Sequence, residues 1–217
     1  LVYDMRAAGT GNSYANGIPE DCYKNTQAVL VNDLDGLEAL LKGNDVKGGG
    51  TACVIVEPIG PESGTRPVEF GYNQKVRELC DKYGALFIFD EVVTGFRLGL
   101  SGAQGYYGVT PDLTVFGKAI TGGYPAAGAV GGKKEYISML APGISDPGSK
   151  VMVGGTLSAN PLSCAAGYFA LVEMEKTDAP AKAARAGDYL AAGLKRIRDQ
   201  HNLPFAVYNQ ASIVHLD

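Results

Sequence analysis

The sequence predicts an α/β domain built on a mostly parallel sheet with helices on both faces. Three observations carry this: short β-rich apolar runs without polar alternation, amphipathic segments of helical period between them, and turn residues closing most segments. A strand in a parallel sheet is covered on both faces, so it reads as a continuous apolar run.

In chain order, residues 1–27 hold Gly9, Gly11, Gly17 and Pro19 among polar residues with no period, which reads as a long loop of the kind that forms lids. DLDGLEALLKG (33–43) predicts a short helix with Asp33 as N-cap, Leu37, Leu40 and Leu41 on one face and Gly43 as the stop. TACVIVE (51–57) is a buried strand ended by Pro58. Between Pro67 and Tyr83, the spacing of Val76, Leu79, Cys80 and Tyr83 predicts an amphipathic helix with Gly84 at its C-terminal cap. ALFIFD (85–90) and DLTVFG (112–117) are further strands, and AAGAVGG (126–132) is a candidate fourth made of small residues. KKEYISMLA (133–141) and NPLSCAAGYFALVEMEK (160–176) read as helices, the second with Leu162, Ala166, Phe169 and Val172 inward. Residues 178–200 read as another, carrying Tyr189, Leu190, Leu194 and Ile197. The chain starts at Leu and stops inside the strand-like ASIVHLD, so it is expected to be a piece of a longer protein.

Composition excludes several classes of function. Lys and Arg number 19 against 23 Asp and Glu, a net charge of −4, and there is no basic run to track phosphates, so nucleic acid is not an expected partner. No apolar stretch approaches the roughly 18 to 20 residues a spanning helix needs, and the N-terminus lacks the pattern of a signal peptide, so a cytoplasmic protein without membrane partners is expected. The four cysteines form no CxxC pair and only His201 and His215 could add imidazole ligands, so no metal site is expected. Cys80 and Cys164 fall on apolar helix faces and read as buried free thiols. Glycine is abundant, 30 of 217 residues, about twice its usual share of roughly 7%.

In open α/β sheets ligands gather beyond the carboxyl ends of the strands. Three strands here end in charged groups: Glu57, Asp90 and Lys118. The familiar phosphate and hydrolase motifs fail. Asp112 stands where a Walker A loop needs its first glycine and Ala119 follows the lysine, no GxGxxG occurs, and no GxSxG elbow occurs. A cofactor-free lysine aldolase would need an eight-stranded barrel, which neither the length nor the glycine-rich interruptions suit. A lysine and a carboxylate at strand ends are the two groups that pyridoxal phosphate chemistry requires, one to join the aldehyde and one to keep the pyridine nitrogen protonated. The glycines flanking Lys118 are expected to let its side chain swing.

The local words agree. VEPI (56–59), FDEVVTGFR (89–97), PDLTVFGKAITGGYP (111–125) and GGTLSANPLSCAAG (154–167) resemble, in order and punctuation, the class III, fold-type I pyridoxal-phosphate aminotransferases, with 102–125 and 156–162 most like the glutamate-1-semialdehyde 2,1-aminomutase branch. The resemblance implies a homodimeric enzyme that binds pyridoxal 5′-phosphate and handles a small amino acid or amine. It implies that Lys118 forms the Schiff base with the cofactor and that Asp90 partners the pyridine nitrogen. Val92 would pack on the ring face, and Thr156 would cross to the other subunit's site to bind the cofactor phosphate. Glu57 is placed on the substrate side, and Gly9–Gly17 where the mutases carry a lid. It assigns 1–205 to the large cofactor-binding domain and 206–217 to the start of a small C-terminal domain. Tyr124 and the alanines after Pro125 depart from the mutases' usual Gly-Leu-Pro-Val-Gly, so an aminotransferase acting on another ω- or β-amino acid or an amine stays open. So does a non-catalytic interaction domain of the same fold.

Overall fold

The computed structural model describes residues 2–5, 19, 21, 24–125, 127–140 and 150–217. The expected lid at Gly9–Gly17 and Cys22 lie outside the described residues. The chain divides into two compact units, one formed by 1–90 with 109–111 and the other by 91–108 with 112–217.

The first unit holds four parallel strands in the order β2-β1-β3-β4: β1 (Val2–Met5), β2 (Gln27–Leu30), β3 (Cys53–Val56) and β4 (Leu86–Glu91). β1 and β2 correct the expectation that 1–27 is all loop. A four-residue strand such as VYDM is too short to display a period, and its place is fixed by backbone ladders to β2 on one side and β3 on the other. α1 (Leu34–Val46) starts as predicted, with the Asp33 carboxylate accepting from the Gly36 N–H, but it runs past Gly43. The residue that breaks the helical backbone is Gly48, at φ +84°. α3 (Tyr72–Tyr83) buries Tyr72, Asn73, Val76 and Cys80 and ends at Gly84 in the left-handed conformation, as predicted. With Leu37, Leu41, Phe87 and Phe89, these side chains make the core, and the last two rings meet edge to face at 4.9 Å.

The second unit contains α4 (Gly102–Tyr107), the antiparallel pair of β5 (Leu113–Phe116) and β6 (Ala129–Gly132), and the one-turn helix α5 (Lys134–Ile137). The long helices α6 (Pro161–Thr177) and α7 (Ala179–His201) and the hairpin of β7 (Val207–Gln210) and β8 (Ile213–Leu216) complete it. The expected inward face of α6 is corrected. Leu162, Phe169 and Val172 are 59%, 68% and 42% exposed, and the buried positions are Ser163 and Gly167. Small residues face the chain because backbone packs directly on that side: a Cβ on Gly167 would stand 2.1 Å from the Ile120 carbonyl oxygen. On α7, Tyr189, Leu190 and Ile197 are likewise exposed, and Gly187 and Ala191 are buried. Cys80 is buried as expected, whereas Cys164, one position from buried Ser163, points outward.

Candidate functional site

Lys118 follows β5 by two residues. Gly117 is extended, and Lys118 opens a 3-10 turn, Lys118–Thr121, with its own backbone at φ +46° and its side chain exposed. That conformation is uncommon for a residue with a Cβ and costs on the order of 1 kcal/mol or more. The surrounding contacts hold it. The Thr121 hydroxyl donates to the Lys118 carbonyl at 2.9 Å and accepts the Gly123 N–H at 3.2 Å. Gly122, left-handed at φ +61°, closes the turn with its N–H on the Ala119 carbonyl. A Cβ there would come within 2.4 Å of the Ala166 carbonyl oxygen on α6. The Ser163 hydroxyl donates to the Pro125 carbonyl at 2.8 Å, tying the far end of the loop to the same helix. Of the glycines beside Lys118, Gly122 serves close backbone packing, Gly117 faces the Val92 side chain, and a Cβ on Gly123 would meet nothing within 4 Å among the described residues.

Val92 lies against this strand end. A Cβ on Gly117 would stand 3.2 Å from Val92 Cγ1, so the missing side chain leaves a shallow cradle between Val92 and the residue before the lysine. Asp90 is the fifth residue of β4, on the half-covered face with Leu86 and Ile88. Thr156 is exposed in a separate cleft of about 680 Å³ lined by Val153, Leu157, Asn160 and Cys164, and neither Lys118 nor Val92 lines it.

Glu57 has work within its own loop. Its two carboxylate oxygens accept the N–H groups of Glu62 and Ser63, each at 2.8 Å, in the single turn α2 (Pro61–Gly64), where both residues are left-handed. Asn73, 3% exposed, donates to the Pro58 carbonyl at 2.7 Å and holds the start of the same loop.

A buried acid escaped the sequence reading. Glu91 is fully buried, and its Oε2 accepts the Ala103 N–H at 2.6 Å and the Thr94 hydroxyl at 3.2 Å, while Oε1 has no hydrogen-bond partner among the described residues. A Cβ on Gly102 would press within 2.5 Å of that carboxylate. Burial pushes the Glu91 carboxyl above the usual range, against the pull of the Ala103 N–H and the Thr94 hydroxyl. The signal was present: β4 alternates, so the residue after Asp90 had to share the face of Phe87 and Phe89. Thr121, Ser163 and Gly167 were missed because their role lies in contacts between segments distant in sequence.

The sequence profile of class-III aminotransferases matches residues 13–210. The chain belongs to the class-III aminotransferase family. Among curated relatives, glutamate-1-semialdehyde 2,1-aminomutase 1 of Staphylococcus aureus (strain Newman) is 44% identical over 200 residues, covering 91% of this chain and 44% of the relative. An omega-transaminase from Sphaerobacter thermophilus superposes with a TM-score of 0.80 at 33% identity, covering 94% of this chain and 44% of that one. A structure described as a transaminase with PLP bound gives 0.84 at 26% identity, covering 99% and 53%. This family member thus spans about half the length of the relatives it matches. Its membership carries the fold-type of those enzymes, a parallel-dominated sheet clothed by helices.

Proposed function

We propose that this chain carries the covalent lysine and the ring-binding groups of a pyridoxal 5′-phosphate enzyme that moves amino groups, in the manner of glutamate-1-semialdehyde 2,1-aminomutase. The observation that carries the reading is Lys118: a primary amine, exposed, at a strand end, on a backbone bent into a costly conformation and clamped there. Strained backbone held by many contacts marks functional sites. The residues fit the cofactor in kind, since an amine, a strand-end carboxylate and a β-branched side chain beside a glycine cradle are all present.

When bound, the cofactor supplies an aldehyde for the amine and a ring that withdraws electrons from the substrate carbon. Lys118 would hold that aldehyde through its amine and, when free, would take a proton from the substrate carbon and return one as general base and acid. Asp90 holds a proton on the ring nitrogen through its carboxylate. Val92 covers a face of the ring and excludes water from it. Thr156 donates its hydroxyl to the phosphate of the other subunit's site in a homodimer. The exposed Val153 and Leu157, which line one cleft with Thr156, support a protein partner there, because apolar side chains grouped on a surface mark interfaces. Glu57 shapes the loop after β3 on the substrate side. The site acts in the cytoplasm on a small amino acid or amine.

The 44% identity to the S. aureus aminomutase supports the mutase reading. The 33% identity to an omega-transaminase, together with Tyr124 and the alanines that follow Pro125, supports a second reading, transfer between separate molecules. The enzyme containing this chain, given glutamate-1-semialdehyde and no second amino acceptor, is expected to form 5-aminolevulinate. Product that appears only when an acceptor is added establishes the transaminase instead.

A further inference from the structure

Besides its backbone bonds, the turn that carries Lys118 is held by one buried hydroxyl with two bonds. Thr121 is 7% exposed, and its Oγ1 faces the Lys118 carbonyl and the Gly123 N–H at once. The backbone on both sides of it has no freedom to retreat: Ile120 meets Gly167 of α6, Gly122 meets the Ala166 carbonyl, and Ser163 bonds Pro125. A turn pressed on a helix is placed in space, but pressing alone does not fix the rotation of its first peptide. That rotation sets where the Cα–Cβ bond of Lys118 points: the Ile120 N–H on the Gly117 carbonyl at 3.2 Å spans the lysine, and the bond from Thr121 is the side-chain contact that holds the Lys118 carbonyl itself.

We propose that Thr121 is a positioning residue for Lys118: its hydroxyl locks the Lys118 carbonyl so that the left-handed backbone aims the amine at an incoming aldehyde. The inference rests on the proposed function for its purpose, though the lock itself is a property of the turn. Valine at 121 keeps the shape and removes both bonds. Serine restores both without the methyl group.

The test uses the unaltered chain, Thr121→Val and Thr121→Ser, each checked for folding by circular dichroism. Two readouts are taken. Amide exchange at Gly123 reports the turn without any cofactor. Exposure to pyridoxal phosphate, followed by borohydride reduction and peptide mass spectrometry, reports the adduct at Lys118 relative to exposed Lys134 in the same molecules. Loss of one net hydrogen bond corresponds to about two- to twelvefold. Thr121→Val is therefore expected to exchange Gly123 faster by that factor and to lower the Lys118-to-Lys134 adduct ratio comparably, with Thr121→Ser returning both to within about twofold. General destabilisation changes both lysines together and leaves the ratio alone. Unchanged Gly123 exchange in Thr121→Val, or a valine effect that serine does not reverse, overturns the proposal. If Thr121→Val does not fold, Thr121→Ser and Gly167→Ala decide it: serine must match the unaltered chain, while a methyl group driven against the Ile120 carbonyl must lower the ratio. Absence of any preference for Lys118 in the unaltered chain counts against the proposed function, and the exchange arm then decides the lock by itself.

Discussion

Replacement of Glu91 separates two roles of a buried carboxyl. Glu91→Ala removes the acceptor of the Ala103 N–H and the Thr94 hydroxyl at a site with no solvent access. A stranded buried donor costs about 1–3 kcal/mol. The Thr94 hydroxyl can rotate toward another acceptor, so the amide accounts for most of the loss, and the vacated volume adds to it. The expected cost is about 3 kcal/mol, or a fall in Tm of roughly 6–12 °C for a chain of this size. Glu91→Gln keeps an oxygen facing Ala103 and is expected to stay within about 1 kcal/mol near neutral pH. The pH dependence has a fixed sign. Burial raises the folded-state pKa of Glu91, so the stability it contributes is complete below the ordinary carboxylate value of about 4.3 and is lost as pH rises through the raised value. Glutamine does not titrate, so the stability of Glu91→Gln relative to the unaltered chain must increase as pH rises above the ordinary carboxylate value of about 4.3. Urea denaturation of the three proteins at several pH values measures both quantities. An alanine cost below about 1 kcal/mol, or a Gln-to-Glu difference flat with pH, would refute the reasoning.

Other changes have equally direct outcomes. Gly122→Ala places a Cβ 2.4 Å from the Ala166 carbonyl oxygen on a residue at φ +61°, so thermal denaturation should show a loss above about 2 kcal/mol, more than the roughly 1 kcal/mol of the conformation alone. Glu57→Ala deprives the left-handed Glu62 and Ser63 of a shared acceptor, and proteolysis should cut the 58–66 loop faster. Glu57→Gln, which keeps one acceptor oxygen, should cut at an intermediate rate. Lys118→Ala removes the only group assigned covalent chemistry, so the enzyme containing this chain should lose turnover altogether; retained turnover removes Lys118 from the mechanism.

Elements whose instructions are local were legible in the sequence. The Asp33 cap, the Gly84 stop and strands β3, β4 and β5 follow from capping chemistry and short apolar runs, and each lies where its residues predict. The strand-end rule set Asp90 within the last turn of pleat in β4 and Lys118 just past β5, which is where the structure has them. What failed depends on partners distant in sequence. β1 exists through two backbone ladders, the inner face of α6 is chosen by the Lys118 turn, and Cys164 is exposed because that choice turns Ser163 inward. Helical period showed where apolar residues cluster on α6, but not that the chain packs against its small ones. Glycines beside a lysine read as freedom in the sequence; in the structure Gly122 marks a site where backbone meets backbone, and Gly117 one where backbone meets the Val92 side chain.

The central claim is that Lys118 is the amine that joins pyridoxal phosphate, and the direct measurement is to treat the chain with the cofactor, reduce with borohydride and locate the adduct by peptide mass spectrometry. The account predicts one dominant pyridoxyl-lysine, at Lys118, that disappears in Lys118→Ala without moving elsewhere. Adducts spread over the surface lysines in proportion to their exposure, with Lys118 no richer than Lys134, would contradict it.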